Sequence, residues 1–198
     1  LNPDFRSVYN SEDLSTNKEI ILYKEYEDAV LMQSLVGYNN GTTPYRGLTK
    51  SAIESFPCSD GLPITVSSDY KGDATIDAVL TNRDGRLKST IANYYCYNGN
   101  LLFGMHSSTA YRPVKFLPPG VNKPGDYSSI PYNTTDAPLF WLAETMENYA
   151  EAAAELDNVG GEAITQNDLD ISINALRQRD SVNVKQLQLS GHQGTAVD

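Results

Sequence analysis

Helical periodicity is sustained over one stretch of this chain only. Leu139, Leu142, Ala143, Met146, Ala150, Ala153 and Leu156 recur at helical spacing, with Pro138 placed near a first turn. Gly160-Gly161 stops that helix. Thr165 then caps a second one, with Asp168 three residues on and Leu169, Ile173 and Leu176 on its inner face. The spacing predicts a helical hairpin of tetratricopeptide size over 137–182. One such pair does not bury its own apolar face, so helices outside this chain are expected to complete it.

The preceding residues, 1–136, read as an irregular, loop-rich region punctuated by prolines and glycines, with short strands and one helix. Glu19-Ile20-Ile21-Leu22-Tyr23 reads as a strand, and periodicity leaves 28–36 open between strand and helix. Residues 37–47 (Gly-Tyr-Asn-Asn-Gly-Thr-Thr-Pro-Tyr-Arg-Gly) are a loop by composition. A short helix follows, with Ser51 and Glu54 at capping-box spacing, Ala52, Ile53 and Phe56 inward, and Pro57 as its end. Short strand candidates lie at 64–66, 74–80, 90–97 and 101–103, and Asn98-Gly99 signals a hairpin. The fold class is therefore α+β and loop-rich: short helices, small β-hairpins and one tetratricopeptide-like helix pair. Residues 183–198 read as a polar tail. The chain opens at Leu1 and stops in a polar stretch, and both ends read as cuts in a longer protein.

Composition excludes several classes of function. Net charge is −10, and the fifteen basic residues are scattered apart from Arg83, Arg86 and Lys88, so a nucleic-acid backbone is not an expected partner. No apolar run reaches the roughly 18–20 residues that span a bilayer, and no secretory leader pattern is present. Two cysteines, Cys58 and Cys96, make no disulfide framework and are expected as part-buried thiols, although a pairing stays open. His106 and His192 stand far apart, and no spacing resembles a zinc site. Asp69, Asp73 and Asp77 lack the glycine and closing glutamate of a calcium loop. No cofactor is expected.

Several segments resemble the SusD/RagB family in order and spacing. Gly47 to Phe56, followed by Cys58-Ser59-Asp60-Gly61-Leu62-Pro63-Ile64, is similar to its TK-x-x-V-D-x-Y-x-C-x-D-G-x-P-I stretch. Arg83-Asp84-Gly85-Arg86-Leu87 resembles RDPRL, with Gly85 where proline is usual. Thr109-Ala110-Tyr111 with Lys115-Phe116 resembles TGY-x-x-x-KF. Asp136-Ala137-Pro138 through Ala143-Glu144, then Asn148-Tyr149-Ala150-Glu151-Ala152, resembles D-x-P-x-x-R-x-AE and NYAEA, with Trp141 where arginine is usual. Ile173-Asn174-Ala175-Leu176-Arg177-Gln178-Arg179 matches IN-x-L-R-x-R.

The resemblance implies a surface lipoprotein of the bacterial outer membrane that captures glycan, or peptide in some members. It implies delivery to a SusC-like TonB-dependent transporter. It also implies a lipidated cysteine and helical repeats before residue 1, and a closing segment after residue 198. A partner that docks the transporter without binding ligand is the alternative in a different class.

An enzyme is disfavoured on the residues themselves. Glycosidases place two carboxylates across a cleft, whereas Glu147, Glu151 and Glu155 form an i, i+4 row on one helix face. Tyrosine is the informative excess, at thirteen residues. Aromatic faces stack on sugar C–H patches at little rotamer cost. The expected ligand-binding residues are Tyr38, Asn39, Asn40, Tyr45 and Arg46 in one loop, with Tyr70 beyond the next helix. Glu151 and Arg177 are expected to pair as a strut between the two long helices, with Arg179 as the substitute if the helix rolls.

Overall fold

The computed structural model describes residues 1–35, 47–93, 109–117 and 133–190, with the backbone of 196–197. The fold is α+β. Its helices are α1 (Ser7–Asn10), α2 (Lys50–Glu54), α3 (Ile76–Leu80), α4 (Gly85–Thr90), α5 (Leu142–Asn158), α6 (Gln166–Ile171) and α7 (Ile173–Arg177). Its strands are β1 (Ile20–Lys24), β2 (Ala137–Trp141), β3 (Gln188–Leu189) and β4 (Ala196–Val197).

The strand expected at 19–23 is β1. It pairs antiparallel with β2, Ile20 opposite Trp141 and Lys24 opposite Ala137, with irregular register between. Pro138 therefore sits in a strand and not in a helix, and the long helix starts later, at Leu142. A two-stranded ladder has only edge strands, where proline is tolerated. Trp141 stays extended and the chain passes straight from β2 into α5.

The expectations for 64–66 and 74–80 are corrected by the structure. Of the candidate at 90–97, Thr90 ends α4, Ile91 forms an isolated antiparallel bridge with Pro113, and 94–97 lie outside the described residues. Residues 76–80 and 85–90 are helical, and Ile64 to Val66 lie in a turn. Side-chain caps decide this: Thr75 Oγ1 accepts from the Ala78 N–H, and Asp84 accepts from the Arg86 N–H. The α2 cap is Thr49 and not Ser51, its hydroxyl accepting from Ala52 at 3.1 Å. One core cluster gathers Ile53 from α2, Val79 and Leu80 from α3 and Leu87 from α4, with Ile91 and Tyr111. The candidate at 101–103 and the Asn98-Gly99 hairpin lie outside the described residues.

The helical hairpin forms as expected at its turn. Gly160 takes φ +81°, and Thr165 with Asp168 makes a reciprocal capping box. The second helix is broken at Ser172 (φ −121°, ψ −99°), which separates α6 from α7. The polar tail is anchored: Val184 is buried, Lys185 N–H donates to the Ser59 carbonyl, and Leu187 N–H donates to Asn174 Oδ1 at 2.7 Å.

Candidate functional site

The loop expected to hold ligand (Tyr38, Asn39, Asn40, Tyr45 and Arg46) lies outside the described residues, as do Cys96, His106 and His192. Tyr70 is half-buried, and the Arg83 guanidinium lies over its ring at 5.5 Å, so one face of that ring is already occupied. Cys58 is a buried free thiol. No group of three metal-ligating side chains gathers among the described residues. Asp73 is instead held by Lys50 at 2.5 Å. No described helix is long and apolar enough to cross a membrane.

The expected strut is not formed. Glu151 is exposed and makes no ion pair among the described residues. Arg177 turns to the opposite side, its Nε donating to the Lys185 carbonyl at 2.7 Å and its Nη2 to the Gly61 carbonyl at 3.2 Å. The break at Ser172 re-aims α7 toward the Asp60-Gly61 turn, away from the solvent face of α5. The buried pair is a different one. Arg179 Nη2 meets Glu19 Oε1 at 2.6 Å with both side chains excluded from solvent, and Asn2 N–H donates to the other Glu19 oxygen at 2.9 Å.

Beside this pair lies a cavity of about 260 Å³. Phe5 and Tyr9 enter from the N-terminal segment, Arg86 from α4, Lys115 from the loop after Tyr111, and Trp141 and Glu147 from the β2–α5 junction. Phe5 and Tyr9 are one helical turn apart, their rings edge-on at 5.4 Å, and Tyr9 meets Trp141 edge-on at 5.9 Å. Lys115 Nζ sits 3.9 Å from the centre of the Tyr9 ring, a cation–π geometry. Burial pulls the Lys115 ammonium below the usual lysine range. The Tyr9 hydroxyl is pushed up to about 12, first by burial and then by the charges of Glu147 and Glu19. Aromatic faces beside fixed donors and one rim carboxylate can stack on and hydrogen-bond a polyhydroxylated ring.

The model of the SusD family matches residues 6–195. The chain belongs to the SusD family. A crystal structure described as a SusD-like carbohydrate binding protein, from Bacteroides fragilis, superposes with a TM-score of 0.66 at 23% identity. The match covers 94% of this chain and 38% of that one, so the chain spans well under half the length of the solved protein. No curated protein matches the chain.

Most SusD-type motif residues serve the frame. Arg83 donates to the carbonyls of Ile53 (2.8 Å), Phe56 (2.7 Å) and Val79 (3.4 Å), closing the ends of α2 and α3 with one side chain. Asp84 is fully buried, caps α4 and pairs with Arg86 at 2.7 Å. Asp136 accepts from the N–H groups of Leu14 and Tyr26, each at 3.0 Å, tying two loops to β2. Asp60 accepts from Leu62 N–H and Ser67 Oγ, and these bonds hold its carboxyl below the usual range.

The two departures from the family pattern have local explanations. Gly85 N–H donates to the Val182 carbonyl at 3.0 Å, and a Cβ there would lie 1.7 Å from the Ser181 carbonyl oxygen, so neither proline nor alanine fits. Trp141, in the arginine position, lines the cavity and abuts Tyr9. In the sequence Trp141 and Lys115 stand out only as motif positions, and Phe5 and Tyr9 only through their i, i+4 aromatic spacing.

Proposed function

We propose that the protein captures glycan at the bacterial cell surface, without chemically altering it, and delivers it to a TonB-dependent outer-membrane transporter while held by a lipid anchor. The observation that carries this reading is the SusD-family match over residues 6–195, joined by the fold shared with a SusD-like carbohydrate binding protein. The cavity chemistry supports binding over turnover. Glu147 is the one carboxylate among the described residues that line it, and glycosidic hydrolysis ordinarily takes two. The loop of Tyr38, Asn39, Asn40, Tyr45 and Arg46, with Tyr70, borders the ligand groove in this proposal.

Calorimetric titration of the full-length protein against panels of oligosaccharides and peptides tests it, with chromatography of the recovered ligand. Saturable binding of at least one oligosaccharide, recovered intact, is the expected result. Binding confined to peptides moves the protein to peptide capture, and release of shorter sugars would make it an enzyme. Tyr38→Ala and Tyr45→Ala should each weaken glycan binding by roughly 1–3 kcal/mol, the scale of buried aromatic contacts. Unchanged affinity in both variants and in the double variant removes that loop from the site.

A further inference from the structure

Two donors at the cavity are left over once the frame is satisfied. Arg179 is 6% exposed and spends Nη2 on Glu19, while its Nε has no hydrogen-bond partner. An orphaned guanidinium N–H at such depth is uncommon and costs free energy unless something accepts from it. Lys115 is the second. Its ammonium is partly desolvated, lies on the face of Tyr9, and has no carboxylate within ion-pair distance among the described residues. Arg86, by contrast, is already committed to Asp84 through both Nε and Nη2. The cavity lining thus combines the aromatic rings of Phe5, Tyr9 and Trp141 with two cations, Lys115 and Arg179, whose donors are underused, and one carboxylate, Glu147.

We infer that this cavity is a binding site for a carboxylated sugar ring, such as a hexuronic acid unit of an acidic glycan. The carboxylate accepts from Lys115 Nζ beside the positive charge of Arg179, the ring packs on the aromatic lining, and its hydroxyls donate to Glu147. At about 260 Å³ the space is below the roughly 300–1,000 Å³ of sites for drug-sized ligands, so it takes one ring and not a chain. A neutral sugar would leave the Lys115 ammonium dry and unpaired, which is the basis of discrimination. The net charge of −10 opposes any anion at long range, so the two local donors must overcome it and added salt should assist the approach of the ligand. This inference rests on the glycan reading above and narrows it to a chemical class.

Trp141 is the single tryptophan of this sequence and lines the cavity, so the part of the fluorescence that Trp141→Phe removes reports on occupancy. The full-length protein is titrated with methyl glucuronide, methyl glucoside and the neutral amide of the glucuronide, with Trp141→Phe identifying the signal. Expected is a saturable response to the glucuronide, at least tenfold weaker for the glucoside and the amide, and at least tenfold weaker in Lys115→Met. The amide comparison needs no altered protein, so it stands even where Lys115→Met fails to fold. Equal affinity for acid and amide overturns the inference, as does an unaltered response in folded Lys115→Met or the lack of a saturable Trp141 signal. If neutral oligosaccharides still bind by calorimetry in that case, the glycan reading survives and only the acidic-ring site falls.

Discussion

At the residue scale, the Arg83 side chain concentrates much of the frame's polar cost. Arg83 is 5% exposed and answers three carbonyls that the short helices α2 and α3 cannot satisfy internally. Arg83→Met should keep the aliphatic stem and lose the fork, leaving buried carbonyls unpaired at about 1–3 kcal/mol each. A midpoint in urea unfolding that does not move would show that water reaches those carbonyls. Gly85 is the opposite case, a residue used for what it lacks. Gly85→Ala pushes a methyl into the Ser181 backbone, and backbone cannot swing aside as a side-chain tip does. A loss of roughly 1–3 kcal/mol is expected, the scale of overpacking, again read from the unfolding midpoint. The sequence signalled both positions only as motif letters. Nothing in the letters said that Arg83 would face carbonyls and not a ligand, because guanidinium forks serve either role.

At the element scale, legibility followed the length of the signal. The helical hairpin was readable because α5 runs for several turns and α6 opens on a capping box whose two halves, Thr165 and Asp168, stand at fixed spacing. β1 was readable from its run of β-branched and aromatic residues. Between residues 62 and 93 the elements are only five or six residues long, too short for helix and strand periods to be separated, and the caps Thr75 and Asp84 settled the matter. The failed Glu151–Arg177 strut has the same origin, since the break at Ser172 is invisible in an otherwise helical pattern.

The hairpin also carries a pH signature. Thr165 and Tyr149 hydrogen-bond the Asp168 carboxylate, and Asn174 with Gln166 does the same for Asp170, so both titrate below the usual carboxylate range when folded. A depressed folded pKa contributes stability that is present above the unfolded value near 3.9 and lost as pH falls through the folded one. Helical signal at 222 nm should therefore persist above about pH 4 and decline below it. Asp168→Asn should lower stability at pH 7 and flatten that decline. An acid transition identical in the variant would place the relevant protons elsewhere. Thr165→Ala should cost about 1 kcal/mol through the same cap.

At the scale of the whole molecule, the fold is closed by contacts between residues far apart in the chain. Phe5 N–H donates to Ser181 Oγ at 2.8 Å, Ser181 N–H donates to the Pro3 carbonyl, and the Arg179 guanidinium lies over the Phe5 ring at 5.6 Å. Glu19 is the hub, since it pairs with Arg179, accepts from Asn2, and offers its own carbonyl to the Leu142 N–H where α5 begins. Two regions of the sequence that composition separated, the loop-rich first part and the helical hairpin, are thereby interlocked, and the cavity forms at their junction. That explains why the cavity was the least legible feature: its walls come from six places in the chain, and no local pattern records their meeting. The Ile53–Val79–Leu87–Ile91 cluster, by contrast, is an apolar core drawn mostly from residues 53–91, with Phe56 packed against it and also lining the cavity. Removing the hub should therefore open one part of the molecule before the other. Glu19→Ala leaves Arg179 charged and unpaired in a site that water does not reach, a loss of about 3–5 kcal/mol. Hydrogen exchange should show the amides of Asn2, Phe5, Leu142 and Ser181 losing protection together, while those of Ile53, Val79, Leu87 and Ile91 keep it, as distinct cooperative units do. Uniform loss across both sets would mean that the junction and the core unfold as one unit, and that the cavity cannot loosen without the whole fold.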